Sequence, residues 1–140
     1  MSRRNLTARA LAAVIVCSPL VADAASVAPA QAPAQISSHS GVKITIEPKG
    51  FSQDAKTWDF AVTLETHTQD LDDDLAQSTT LLADGTLHRP LGWEGSVPGS
   101  HHRKGVLRFA AVKPLPQVVE LQIRREGEST PRIFRWQTTK

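Results

Sequence analysis

The chain contains no tyrosine, one cysteine, three tryptophans and four phenylalanines. Without tyrosine there is no tyrosine corner, and with seven aromatic side chains in all there is little for stacking on bases. The lone Cys17 lies near the N-terminus, inside a stretch that has the design of a removable signal, so the mature chain is expected to have neither disulfide nor thiolate site. No apolar run reaches the roughly 20 residues that a membrane-spanning helix needs. A dominant charge is missing too. The chain has 16 Lys+Arg and 14 Asp+Glu; the leader removes three arginines and one aspartate, leaving thirteen of each. That balance gives no electrostatic case for nucleic acid.

What the N-terminus does have is a three-part leader. Arg3, Arg4 and Arg9 precede an apolar run from Leu11 to Val21, and small residues at Ala22 and Ala24 follow. Residues 1–25 therefore read as a signal peptide, cut after Ala24 or Ala25, and the protein is expected to be periplasmic or secreted. Val16 before Cys17 is bulkier than lipoprotein processing prefers. The start SRRNL resembles a twin-arginine signal, although the general secretory route is the expected one. Residues 26–40 repeat Ala, Pro and Gln with little to bury and read as a linker. Residues 41–140 are expected to form one domain.

Within that domain the apolar period is two. VKITIEP sets Val42, Ile44 and Ile46 against Lys43, Thr45 and Glu47, and WDFAVTLETH alternates in the same way from Trp58 to Leu64. Further strands are expected from Leu75 to Ala83, over TLHRPLGW, over GVLRFAAV, over VVELQIRRE and over RIFRWQT, the last with Ile133 inward. Asp84-Gly85 is a strong hairpin signal and Pro90 argues for an edge strand. In QDLDDDLAQ, Asp70 or Asp72 is positioned to cap a single helical turn. About seven short strands without a helical period point to an all-β, immunoglobulin/fibronectin-like β-sandwich, with a small barrel as the competitor. Trp58, Phe60, Phe109 and Trp136 are its expected core, and Trp93 is placed either in that core or at a surface site.

The ordered segments THTQDLDDDL and GWEGSVPGSHHRKGVLRF resemble a group of small exported or lipid-anchored bacterial and archaeal proteins. That group has THS-x-DL-x-x-DL, then a W-x-G followed by PGGHHR-x-G-x-L-x-F. The likeness covers roughly Gly41 to Trp136 and departs from the pattern at Thr68 and Ser100. It implies an exported all-β domain, directs attention to His67, Asp70, Trp93, His101, His102 and Arg103, and supplies no reaction.

The stretch around the histidine pair sets out the chemical choices. Val97-Pro98-Gly99-Ser100 fits a type II turn. Closed there, it would place Glu94 opposite Arg103 as a cross-strand pair. Neighbouring side chains on a strand diverge, so His101 and His102 do not chelate one ion by themselves. A metal site would need His67, arriving from the other sheet, with one or both of them and Asp70 or Glu65 in support; nitrogen and carboxylate ligands suit copper or zinc. The alternative is that each histidine bonds a nearby loop backbone or carboxylate. The acidic run Asp70–Asp74 lacks the glycine and distal glutamate of a calcium loop. Ser96 and Ser100 lie outside any nucleophile motif, so no catalytic residue is assigned. Arg124, Arg125, Arg132 and Arg135 are expected on exposed strand faces. The resulting expectation is an exported, non-enzymatic binding or accessory module for an envelope protein or small ligand, with copper or zinc held by His67, His101, His102 and Asp70. Its alternative is a structural or adhesion-type module that contacts protein and binds no metal.

Overall fold

The computed structural model describes residues 32–138. The expected signal peptide, residues 1–25, and the start of the expected linker lie outside the described residues. The alternation of the sequence becomes two packed antiparallel sheets. One has the order β1-β2-β3-β7-β6, built from Gln35–His39, Val42–Pro48, Thr57–Thr66, His102–Ala110 and Gly92–Gly95. The other has the order β5-β4-β8-β9, built from Thr86–His88, Thr79–Ala83, Val118–Ile123 and Arg132–Gln137. This is an immunoglobulin/fibronectin-like β-sandwich with nine strands among the described residues, against seven expected. No helix among them is long and apolar enough to cross a membrane.

The inward faces follow the period of two. On β2 and β3, Val42, Ile44, Ile46, Trp58, Phe60, Val62 and Leu64 are all buried. They meet Leu81, Val119, Leu121, Ile123, Phe134 and Trp136 from the other sheet. Burial at about 25 cal/mol per Å² makes this layer the main source of stability.

Two of the extra strands come from places where the sequence hides its pattern. β1 falls within residues 26–40, the expected linker. Its registered partners Ile46, Ile44 and Val42 put Gln35, Ser37 and His39 on the inner side, while Ile36 is 65% exposed. A strand with polar residues inward has no readable apolar face. The expected strand over TLHRPLGW divides at Arg89-Pro90-Leu91: β5 ends one sheet and β6 ends the other, so the chain changes layers there. The Asp84-Gly85 hairpin forms as its chemistry requires, with φ values of 49° and 77° joining β4 to β5.

Three smaller expectations are corrected. The start of the Leu75–Ala83 segment is a four-residue helix, α1 (Leu75–Ser78), capped by Asp74 rather than Asp70 or Asp72, because the Asp74 carboxylate accepts the N–H groups of Ala76 and Gln77. Ile133 points outward and is 52% exposed, since Phe134 and Trp136 fix the parity of β9. By the same parity Arg132 points inward, and Arg125 continues inward beyond Ile123; both are buried, whereas Arg124 and Arg135 are exposed.

Candidate functional site

Strand β3 runs up to Thr66 and pairs with β7, which begins at His102. Everything that follows β3 or precedes β7 therefore gathers at one end of the sandwich. That end carries the Ser40-Gly41 turn and the loops 67–74, 96–101 and 124–131. His67, Asp70, His101 and His102 all lie there, as does His39 at the end of β1. His67 arrives along the same sheet as His101 and His102, not from the opposite one.

The four expected metal ligands do not converge. The Thr66 N–H donates to the His101 carbonyl at 2.9 Å, while the His101 Nε2 lies 3.4 Å from an Asp70 carboxylate oxygen with both side chains mostly exposed. His102 sits across from Glu65 on the outer face. Glu65 is engaged by Lys43 at 2.6 Å, and that ammonium, with His102 and His67 nearby, holds its carboxyl below the usual carboxylate range. Among the described residues no group of three or more His, Cys, Asp or Glu side chains is arranged to hold a metal ion. Beside His67 is an open hollow of about 500 Å³, lined in part by His39, Lys43, Glu65 and His67.

The Glu94–Arg103 pair does not form. β6 and β7 register as Trp93 with Leu107, Glu94 with Val106 and Gly95 with Gly105. That is three residues away from the register of a four-residue turn closed at Val97 and Ser100. An odd slip exchanges faces: Glu94 points outward and meets Arg108 at 3.2 Å, and Arg103 points inward. The cause is a steric fit of the indole. A Cβ on Gly95 would meet the Trp93 ring at 2.7 Å and the Gly105 Cα at 2.5 Å; one on Gly105 would meet the ring at 2.7 Å. The ring of Trp93 lies across two opposed glycines, and only this register opposes them. Gly99 takes a φ of 100°, but its bend serves another purpose: its N–H donates to the Leu71 carbonyl at 3.2 Å, and the Leu71 N–H donates to the Ser100 carbonyl at 3.1 Å.

Arg103 is the centre of this end. It is 1% exposed, its guanidinium lies 5.7 Å from the Trp93 ring centroid, and it donates to the carbonyls of Leu71 at 3.1 Å, Asp73 at 2.6 Å and Ser96 at 3.2 Å. Burial lowers its pKa, opposed by Asp73, Asp72 and Asp74. The loops before α1 and before β7 are thus tied by one side chain.

Two further arginines extend the fastening. Arg125 pairs with the Asp73 carboxylate at 2.9 Å, and both side chains are at most 5% exposed. Arg125 also reaches Glu128 at 3.4 Å, and Glu128 holds Arg132 at 2.5 Å. Arg132 in turn donates to the carbonyls of Val42 at 2.8 Å, His39 at 2.7 Å and Ser37 at 3.2 Å. The hydrogen bonds from Arg132 keep the Glu128 carboxyl below the usual glutamate range against the opposing effect of burial. The sequence places Arg125 and Arg132 on exposed faces, Asp73 in a solvated acidic run and Glu128 in a turn; the signal against this is parity, since Arg132 shares a face with Phe134 and Trp136.

No protein-family model, no curated protein and no solved structure matches the chain.

Proposed function

We propose that this chain is an exported, non-enzymatic module that binds a protein partner through its arginine-fastened loop end. The observation that carries this reading is the division of labour there. Arg103, Arg125 and Arg132 are buried and hold loops 67–74, 96–101 and 124–131 or their neighbours from beneath. His67, Asp70, Val97, His101 and Arg124 stand exposed on the outside. Loops positioned by a rigid scaffold are where binding residues concentrate, and loops already ordered lose less entropy on binding. Export rests on the three-part leader of residues 1–25.

The test is site-specific photo-crosslinking in producing cells. A photoreactive residue at Val97 or His101 is expected to yield a discrete protein adduct, and one at Asp54 or Lys113, at the opposite end, is not. Adducts of equal yield from both ends, or none from either, would remove the loop end as the binding surface.

A further inference from the structure

Strand β1, like the short edge strands β5 and β6, has no buried residue. Its inner positions are Gln35, Ser37 and His39, and its one large apolar side chain, Ile36, faces solvent. The hydrophobic term that holds β2, β3, β4, β7, β8 and β9 contributes little here. What holds β1 is the hydrogen-bonded ladder to β2 and a set of contacts with β9. Arg132 reads the Ser37 and His39 carbonyls. The Gln35 side-chain amide accepts from the Arg135 N–H at 3.1 Å and donates to the Arg135 carbonyl, and the Trp136 indole N–H donates to the Pro33 carbonyl at 2.7 Å. Most of these contacts recognise backbone at fixed positions.

The connection from β1 to β2 is a two-residue turn, Ser40-Gly41, with φ values of 50° and 73°. Gly41 tolerates that conformation. Ser40 does not do so freely, because a Cβ in the left-handed region crowds the carbonyl that follows. An opened turn relieves this strain, and short strained hinges favour exchange of the element they connect. We propose that β1 exchanges between two copies of this chain, each donating residues 33–39 to the β2 edge of the other. A second copy is the occupant because its Gln35 side chain, two residues after the Pro33 carbonyl, matches the Arg135 backbone and the Trp136 indole. Every contact named above re-forms in the exchanged pair; what changes is the Ser40-Gly41 turn, whose carbonyls accept from the Gln69 side-chain amide at 2.8 Å and the Thr66 hydroxyl at 2.9 Å. Such exchange is a low-cost route to a symmetric dimer.

The cross-strand register supplies the test. Ile36 lies opposite Thr45 on the outer face. One copy carrying Ile36→Cys and one carrying Thr45→Cys, both with Cys17→Ser, are mixed at about 1 mM, the range of effective concentrations that short linkers supply. They are then oxidised, and the 36–45 crosslinked peptide is measured by mass spectrometry. Exchange predicts a 36–45 adduct about tenfold above that of a collision control pairing Ile36→Cys with Val97→Cys, whose position is 77% exposed. Ser40→Gly, which removes the turn strain, is expected to lower the adduct about fivefold. A 36–45 adduct no greater than the control would overturn the proposal. So would capture of the Thr45→Cys chain by an unrelated cysteine-bearing extended peptide as efficiently as by the Ile36→Cys chain, which would show a strand site open to any chain.

Discussion

At the end of the sandwich below the Asp84-Gly85 turn, rings close the core. Phe51 meets Trp58 with centroids 5.2 Å apart, Phe60 meets Phe109 at 5.6 Å, and Phe60 meets Trp136 at 5.8 Å. At the other end no ring cluster is found among the described residues; Arg103, Arg125 and Arg132 with Asp73 and Glu128 occupy the space between the sheets' ends and the loops. Apolar packing is non-directional, so the rings of the first end add mainly stability, and their directional contribution comes from the indoles of Trp58 and Trp136, which donate to the Ser52 and Pro33 carbonyls at 3.3 Å and 2.7 Å. Guanidinium groups donate along fixed directions and here aim at named carbonyls. The second end therefore gains loop geometry, and exposed polar residues above it can be held in place from below. A buried charge network of this kind contributes modest net stability, yet breaking it is costly because an unpaired charge stays behind.

The contrast can be probed by substitutions at each end. Phe60→Ala, in the ring cluster, is expected to lose about 3–5 kcal/mol in urea unfolding, equally at neutral and mildly acidic pH. A loss that varies with pH would mean that the two ends are not separable. Arg103→Met keeps much of the volume but leaves the carbonyls of Leu71, Asp73 and Ser96 short of a donor, and is expected to cost about 2–4 kcal/mol. A cost below about 0.5 kcal/mol, typical of an ordinary surface position, would show that the arginine is ornamental.

Glu128→Gln is expected to lose about 1–2 kcal/mol at neutral pH and to flatten the acid limb of the stability profile. The folded carboxyl sits below its ordinary value, so its contribution is complete above the unfolded pKa of about 4.3 and disappears as pH falls through the folded value. An unchanged difference between variant and parent down through that window would contradict the assigned role of Arg132. Smallest of all, His101→Ala with His102→Ala is expected to change stability by less than about 0.5 kcal/mol. Neither parent nor variant should bind Cu²⁺ or Zn²⁺ tightly by calorimetry. Tight binding by the parent that the variant lacks would support the metal reading.

The same contrast explains how much was legible in the sequence. Ring-end residues announce themselves: Trp58, Phe60, Phe109 and Trp136 fall on the inward positions of alternating strands, and all four are buried. His67 and His101 share one end because His67 follows β3 and His101 precedes β7, on the same sheet and not on opposite sheets as the sequence suggests. The chemistry of that end was not legible. An arginine inside reads like an arginine outside unless strand parity is trusted, as with Arg132 beside Phe134. The β6–β7 register was misjudged because Pro98-Gly99 resembles a hairpin turn. The pairing is decided instead by the fit of Trp93 across Gly95 and Gly105, a contact ten residues long in sequence. β1 was hidden by its reversed polarity.

The most direct measurement is native-state hydrogen exchange at the Leu71 and Gly99 amides, whose acceptors are the Ser100 and Leu71 carbonyls. Loops fastened by Arg103 predict protection of both amides within about tenfold of that at the β3 amides, with protection lost in both loops together in Arg103→Met while the amides around Trp136 stay protected. Exchange of Leu71 and Gly99 at the rate of freely exposed loop amides in the parent chain would contradict the account.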